Sequence, residues 1–262
     1  MNAEELLDIG LTCQLKGQLE KAEDYLKKAL VQDPKIRGAH LGLGDINLKQ
    51  SRFDIAKEMY TKEIALNPRS VKARIELANV NIIKGEEDKA LLNFEKALSL
   101  SSNDWRACKG MGYVYFLKGE LSKAAGWLKM ANDGNEEDLA VHFWLTLVYF
   151  QHGLTTQVDT EIEKVKAICR NIEKFTDKQE LVVAYVLGKV AVIQGKHKEA
   201  IKYLEDLRKR IKIKNRKRIE LGLIYDETDI LKTLAEVYDK SGEQALSNAI
   251  KKEIAGLTQK SF

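Results

Sequence analysis

Two prolines, Pro34 and Pro68, serve a chain of 262 residues. Proline breaks helices, so its scarcity leaves room for long uninterrupted ones. Cysteine is nearly as rare: Cys13, Cys108 and Cys169 make an odd three. That number argues against a disulfide framework and for a reducing compartment, and the expected location is cytoplasmic. No apolar run is long enough to span a bilayer, so no transmembrane segment is expected. The first residues lack the basic opening and apolar stretch of a secretory signal. There is no glycine-rich phosphate loop. The four histidines, His40, His142, His152 and His197, form no pair at ligand spacing with a cysteine or carboxylate. A metal site is therefore unsupported, and no cofactor or small-molecule substrate is expected. The acidic pairs Glu86–Glu87 and Glu136–Glu137 open or precede helices, where the dipole favours them, and do not read as an acid–base couple. The chain does not read as an enzyme.

Charge is abundant and nearly balanced. Forty-three basic residues against 39 acidic leave a net +4. One stretch departs from that balance: Arg208, Lys209, Arg210, Lys212, Lys214, Arg216, Lys217 and Arg218 put eight cations in eleven residues. A basic run can contact nucleic acid or an anionic surface, or act in targeting. A solvated helix end, where cations suit the dipole, is the plainer reading. No aromatic platform for stacking bases interrupts the run, which counts against single-strand binding.

The dominant signal is a period of 34 residues. With Ala3 as position one, units start at Ala3, Arg37, Val71, Trp105 and Leu139. Position eight holds Gly10, Gly44, Ala78, Gly112 and Thr146; position twenty holds Ala22, Ala56, Ala90, Ala124 and Val158. Position twenty-four holds Leu26, Tyr60, Phe94, Leu128 and Ile162, and both prolines fall at position thirty-two. Each unit reads as two helices joined by a turn near Gly17, Arg52, Gly85, Gly119 and Gly153, glycine supplying the left-handed residue in four of five. Small residues at eight and twenty let the helices approach, and bulky ones fill the space around them. One such pair cannot bury its own apolar face, so neighbours must stack. A sixth copy begins near Leu181, about eight residues late, and a seventh near Thr228. The expected layout is therefore one array over 1–262. Residues 3–172 make five regular units and 173–262 two irregular ones, ending in a capping helix. Elongated second helices plus loops account for the insertions near Cys169–Lys178 and Ile211–Asp226.

This pattern resembles the tetratricopeptide repeat family, whose units place large, Leu, Gly, Tyr, Ala, aromatic, Ala and Pro residues at these offsets. The resemblance implies an all-α fold, a right-handed α-α superhelix of antiparallel helix pairs. It also implies a non-enzymatic scaffold that holds another protein, as a peptide or amphipathic helix, in the groove lined by the first helices. In the family, positions two, five, nine, twelve and thirteen face that groove. Carried over, they select Lys72, Ile75 and Asn79 in the third unit; Arg106, Lys109, Tyr113 and Phe116 in the fourth; Phe143, Leu147 and Phe150 in the fifth; and Tyr185 in the sixth. The groove so read is apolar and aromatic in its middle, with a cationic edge at Lys72, Arg106 and Lys109 suited to an acidic segment or a C-terminal carboxylate. The clamp of chaperone-binding members is broken. Asn79 fits it, but Ile75, Gly110, Ala140 and Trp144 stand at its other positions. The polar spread along Glu243–Phe262 suits a solvating cap, hence a monomer or small oligomer. Nucleic-acid or anionic-surface binding through 208–218 is the alternative reading.

Overall fold

The computed structural model describes residues 1–171, 177–211, 218–220 and 223–259. The chain divides into two compact units, Met1–Glu136 and Glu137–Phe262. The first holds four helix pairs: α1 (Ala3–Leu15) with α2 (Leu19–Gln32), α3 (Ala39–Lys49) with α4 (Phe53–Leu66), α5 (Val71–Ile83) with α6 (Glu87–Leu100), and α7 (Trp105–Leu117) with α8 (Leu121–Gly134). The second holds α9 (Leu139–Gln151) with α10 (Thr155–Asn171), α11 (Asp177–Ile193) with α12 (His197–Arg210), and α13 (Glu227–Ser241) with α14 (Gln244–Gln259). Among the described residues, the chain is an α-helical repeat of seven such pairs.

The pairs form for the reasons that the period suggests. A left-handed residue ends the first helix, and this residue recurs every 34 positions: Gly17 (φ 73°), Ser51 (φ 57°), Gly85 (φ 70°), Gly119 (φ 73°) and Gly153 (φ 72°). In the second pair that residue is Ser51 and not Arg52, which instead begins α4 as its N-cap. At the first helix, Asn2 caps α1. Its side chain accepts from the Glu5 N–H at 2.9 Å, and Glu5 returns the bond from the Asn2 N–H at 3.0 Å. Gly38 has no side chain with which to cap α3. Glu63 of α4, 1% exposed, does so from outside, accepting from the Gly38 N–H at 3.0 Å.

Position twenty-four is the centre of each pair in the first unit. Leu26, Tyr60, Phe94 and Leu128 are fully buried. A methyl group on Gly10 would lie 2.9 Å from Leu26, one on Gly44 2.5 Å from Tyr60, and one on Gly112 2.6 Å from Leu128. Only a hydrogen fits between these helices. Successive pairs are also tied near their turns by charge. Arg52 pairs with Glu23 at 3.0 Å and Lys118 with Asp88 at 2.8 Å; Lys84 meets Asp54, and Lys57 meets Glu86.

The second unit departs from the pattern at its insertions. Helix α10 has 17 residues where the second helices of the first unit have 14, an elongation of the kind expected. After α12, a second helix of ordinary 14-residue length, the chain instead forms an antiparallel pair, β1 (Arg218–Glu220) with β2 (Leu223–Tyr225), in which Ile219 faces Ile224 across the ladder. The all-α expectation therefore needs this small hairpin added. Leu223 and Tyr225 are buried, so the hairpin belongs to the core of its unit.

Candidate partner-binding face

Within the first unit, α1, α3, α5 and α7 pack successively on one another, while the second helices of neighbouring pairs make no comparable contact. The first helices therefore line the inner side of this unit. Four of the sequence-selected side chains on it are Lys72 and Asn79 on α5 and Arg106 and Lys109 on α7. Lys72 and Arg106 are exposed, Asn79 and Lys109 half-buried. Tyr113 and Phe116, one and two turns or so further along α7, are half-buried as well. Ile75 is not part of this surface. It is 3% exposed, because α5 turns that side chain into the core between its neighbours.

The structure also shows which charges are committed. Asp45 on α3 accepts from Lys72 Nζ at 2.7 Å, from the Tyr60 hydroxyl at 2.9 Å and from Gln14 at 3.5 Å. Arg106 grips Asp104 with two bonds, of 3.0 and 2.6 Å. Burial alone would raise the Asp104 carboxyl, but the Arg106 guanidinium and two backbone N–H groups outweigh it and hold the group below its ordinary range. Lys109 lies over the Trp105 ring at 4.7 Å. The cationic edge is thus largely neutralised by carboxylates of the same face. Glu76, next to this network on α5, goes the other way. Burial, with Asp45 adding to it, pushes its carboxyl up, against the smaller effects of Asn79, Lys72 and Arg106. The Tyr60 hydroxyl is likewise pushed up by burial, Asp45 and Glu76. The repeat pattern marks Asp45 as groove-facing but passes over Glu76, which sits one position away from the selected set.

The second unit corrects the aromatic half of the sequence reading. Phe143 is fully buried and Tyr185 is 7% exposed. Their rings lie 6.1 Å apart, Phe143 also meets Trp144 at 5.2 Å, and Tyr185 stacks on Tyr225 at 5.0 Å. Tyr225 comes from β2. The inserted hairpin therefore takes up a side chain that its place in the repeat marks as groove-facing. Leu147 is half-buried, and Phe150 is 51% exposed. His142 is buried, 2% exposed. Its Nδ1 lies 2.6 Å from Glu161, which also accepts from Lys164 at 3.1 Å.

The basic run is described only in part. Arg208 pairs with Glu205 at 3.1 Å and Glu253 at 2.6 Å, Arg210 pairs with Glu180 and Asp206 at 3.1 Å each, and Lys209 is exposed. Arg218 opens β1. Lys212, Lys214, Arg216 and Lys217 lie outside the described residues. Two of the three cations described with their side chains are thus held by carboxylates of their own unit. Among the described residues, no helix is long and apolar enough to cross a membrane.

Residues 16–54 and 47–104 match the tetratricopeptide repeat. No curated protein matches the chain. Among solved structures it is similar to a tetratricopeptide repeat protein from Parabacteroides merdae, at 15% identity and a TM-score of 0.65, over 97% of this chain and 93% of that one. It is similar to PilF of Pseudomonas aeruginosa at 16% identity and a TM-score of 0.62, over 79% of this chain and 90% of that one. A third likeness, at 16% identity and a TM-score of 0.74, is to the Cut9–Hcn1 hetero-tetramer of the APC/C; it spans 95% of this chain and 45% of the other. At these identities the likeness concerns the fold.

Proposed function

We propose, since the chain belongs to the tetratricopeptide repeat family, that it is a non-enzymatic scaffold which holds a peptide or helix of another protein on the inner face of its first unit. The observation that carries this reading is the pairing of Tyr113 and Phe116, both only half-buried, with a polar strip on the adjoining inner helices. Covering each ring contributes about 1 kcal/mol if some 40 Å² of its surface leaves water. The neighbouring polar groups then fix register and direction. Three free thiols, two of them buried, suit a reducing compartment, and we place the protein in the cytoplasm on that ground.

The test is a comparison of inner-face and outer-face substitutions in one binding assay with a recovered partner. Tyr113→Ala and Phe116→Ala should each weaken binding about five- to tenfold. Lys96→Ala, at an exposed position on α6, should leave it unchanged. Loss of binding with Lys96→Ala and not with the α7 variants would sink the assignment.

A further inference from the structure

Position six of the repeat behaves unusually in the third pair. In the second and fourth pairs it is Gly42 and Gly110, and each approaches the position-twenty-four side chain of the preceding pair. A methyl on Gly42 would lie 2.9 Å from Leu26, and one on Gly110 2.1 Å from Phe94. The third pair has Glu76 at this place. A carboxylate therefore stands where its neighbours have a hydrogen, beside Tyr60, whose hydroxyl feels its charge.

The position leaves Glu76 half-buried and, among the described residues, without a salt bridge of its own. Its Oε2 accepts from Asn79 Nδ2 at 3.2 Å, and that is its one hydrogen bond to the described residues. Lys72 and Arg106 are near enough to act on it through space, yet both are bonded elsewhere, Lys72 to Asp45 and Arg106 to Asp104. Removing a carboxylate from water costs free energy that an ion pair or a protonation must offset. Half-buried on α5, Glu76 is bonded by Asn79 and lies near enough to Lys72, Arg106 and Asp45 to feel their charges.

We propose that Glu76 is the anchor for a cationic side chain, lysine or arginine, in the segment held on this face. This rests on the reading of the inner face as the partner site and names the chemistry that it selects. Asn79 orients the carboxylate. The aliphatic stem of the incoming residue lies toward Tyr113 and Phe116 on α7, as suits a side chain that is apolar along its length and charged at its tip. The preference is the reverse of the acidic one that Lys72, Arg106 and Lys109 suggest by sequence, because Asp45 and Asp104 already satisfy two of those three cations.

The experiment is selection from a displayed library of random linear peptides on the full chain, followed by affinity measurement on the wild type, Glu76→Gln and Tyr113→Ala. Glutamine keeps the volume and the Asn79 bond but removes the charge, and circular dichroism checks that the helices persist. Selected peptides should share a lysine or arginine. They should bind Glu76→Gln about tenfold more weakly, and replacing their basic residue by glutamine should cost the same on wild type and nothing more on Glu76→Gln. Peptides without a shared basic residue, or equal affinity for Glu76→Gln, would overturn the anchor. If Tyr113→Ala alone weakens them, the face stands and the anchor falls. If neither variant matters, or no peptide is retained, both fall.

Discussion

Replacing Gly110 by alanine tests the close packing on which the whole inner face depends. A methyl group there would lie 2.1, 2.4 and 2.6 Å from three atoms of the Phe94 ring. Phe94 is fully buried, so the ring cannot swing into solvent. Forcing a methyl into such a contact costs about 1–3 kcal/mol, and a distance so far inside van der Waals contact belongs at the upper end. The better helix propensity of alanine returns about 1 kcal/mol. The net effect is a loss of about 1–2 kcal/mol, or about 2–8 °C in melting temperature for a chain of this size. Gly126 on α8 provides the control, because nothing lies within 4 Å of the methyl it would gain. There the propensity term acts alone, and Gly126→Ala should stabilise by up to about 1 kcal/mol. Thermal unfolding followed by circular dichroism reads both. The reasoning fails if Gly110→Ala melts at or above wild type while Gly126→Ala does not melt higher. That outcome would also remove the basis for treating position six, and hence Glu76, as a site of close approach.

Two further outcomes follow from the same geometry. Ser51 holds a left-handed conformation that its equivalents give to glycine, so Ser51→Gly should stabilise by about 0.5–1 kcal/mol, and a lower melting temperature would contradict this. Burial alone would raise the Glu161 carboxyl, but hydrogen bonds from His142 and Lys164 outweigh it and the group lies below its ordinary 4.5. Its contribution is therefore complete above about pH 4.5 and lost as the pH falls through the lowered folded value. Glu161→Gln, leaving buried His142 without its carboxylate, should cost about 3 kcal/mol near neutral pH and flatten the acid limb of the stability curve. An acid limb equally steep in the variant would show that other groups dominate it.

The repeat was legible because it is written in sizes. Gly10, Gly44 and Gly112 face Leu26, Tyr60 and Leu128, each so closely that a methyl group would lie within 3 Å of them. The left-handed turn residues carry the same period, Ser51 included. The irregular insert after α12 was less legible. The alternation of Ile219, Leu221, Leu223 and Tyr225 around Gly222 is a hairpin signal. A basic run just before it, and a helical pattern on both sides, masked that signal. The candidate face was half legible. Position in the repeat tells which side of a helix a residue occupies, and Lys72, Asn79, Arg106, Lys109, Tyr113 and Phe116, which it selects, are all exposed or half-buried. It does not tell what covers that side. Ile75 is taken up by its own core, and Tyr185 by a ring from an insert 40 residues away in sequence (225 − 185). Nor does position reveal pairing across helices. Lys72 with Asp45 and Arg106 with Asp104 change the electrostatic character of the face while every individual residue stays where the pattern put it.

The central claim is that a partner protein lies on the inner side of the first unit. Site-specific photo-cross-linking tests it most directly, with a photoreactive phenylalanine placed at Tyr113 on the inner side or at Lys96 on the outer side, in cells that make the protein. The account predicts a discrete adduct from position 113 and none from position 96, with the adduct lost when Phe116→Ala is added. Adducts from position 96 alone, or equal labelling from both, would contradict it.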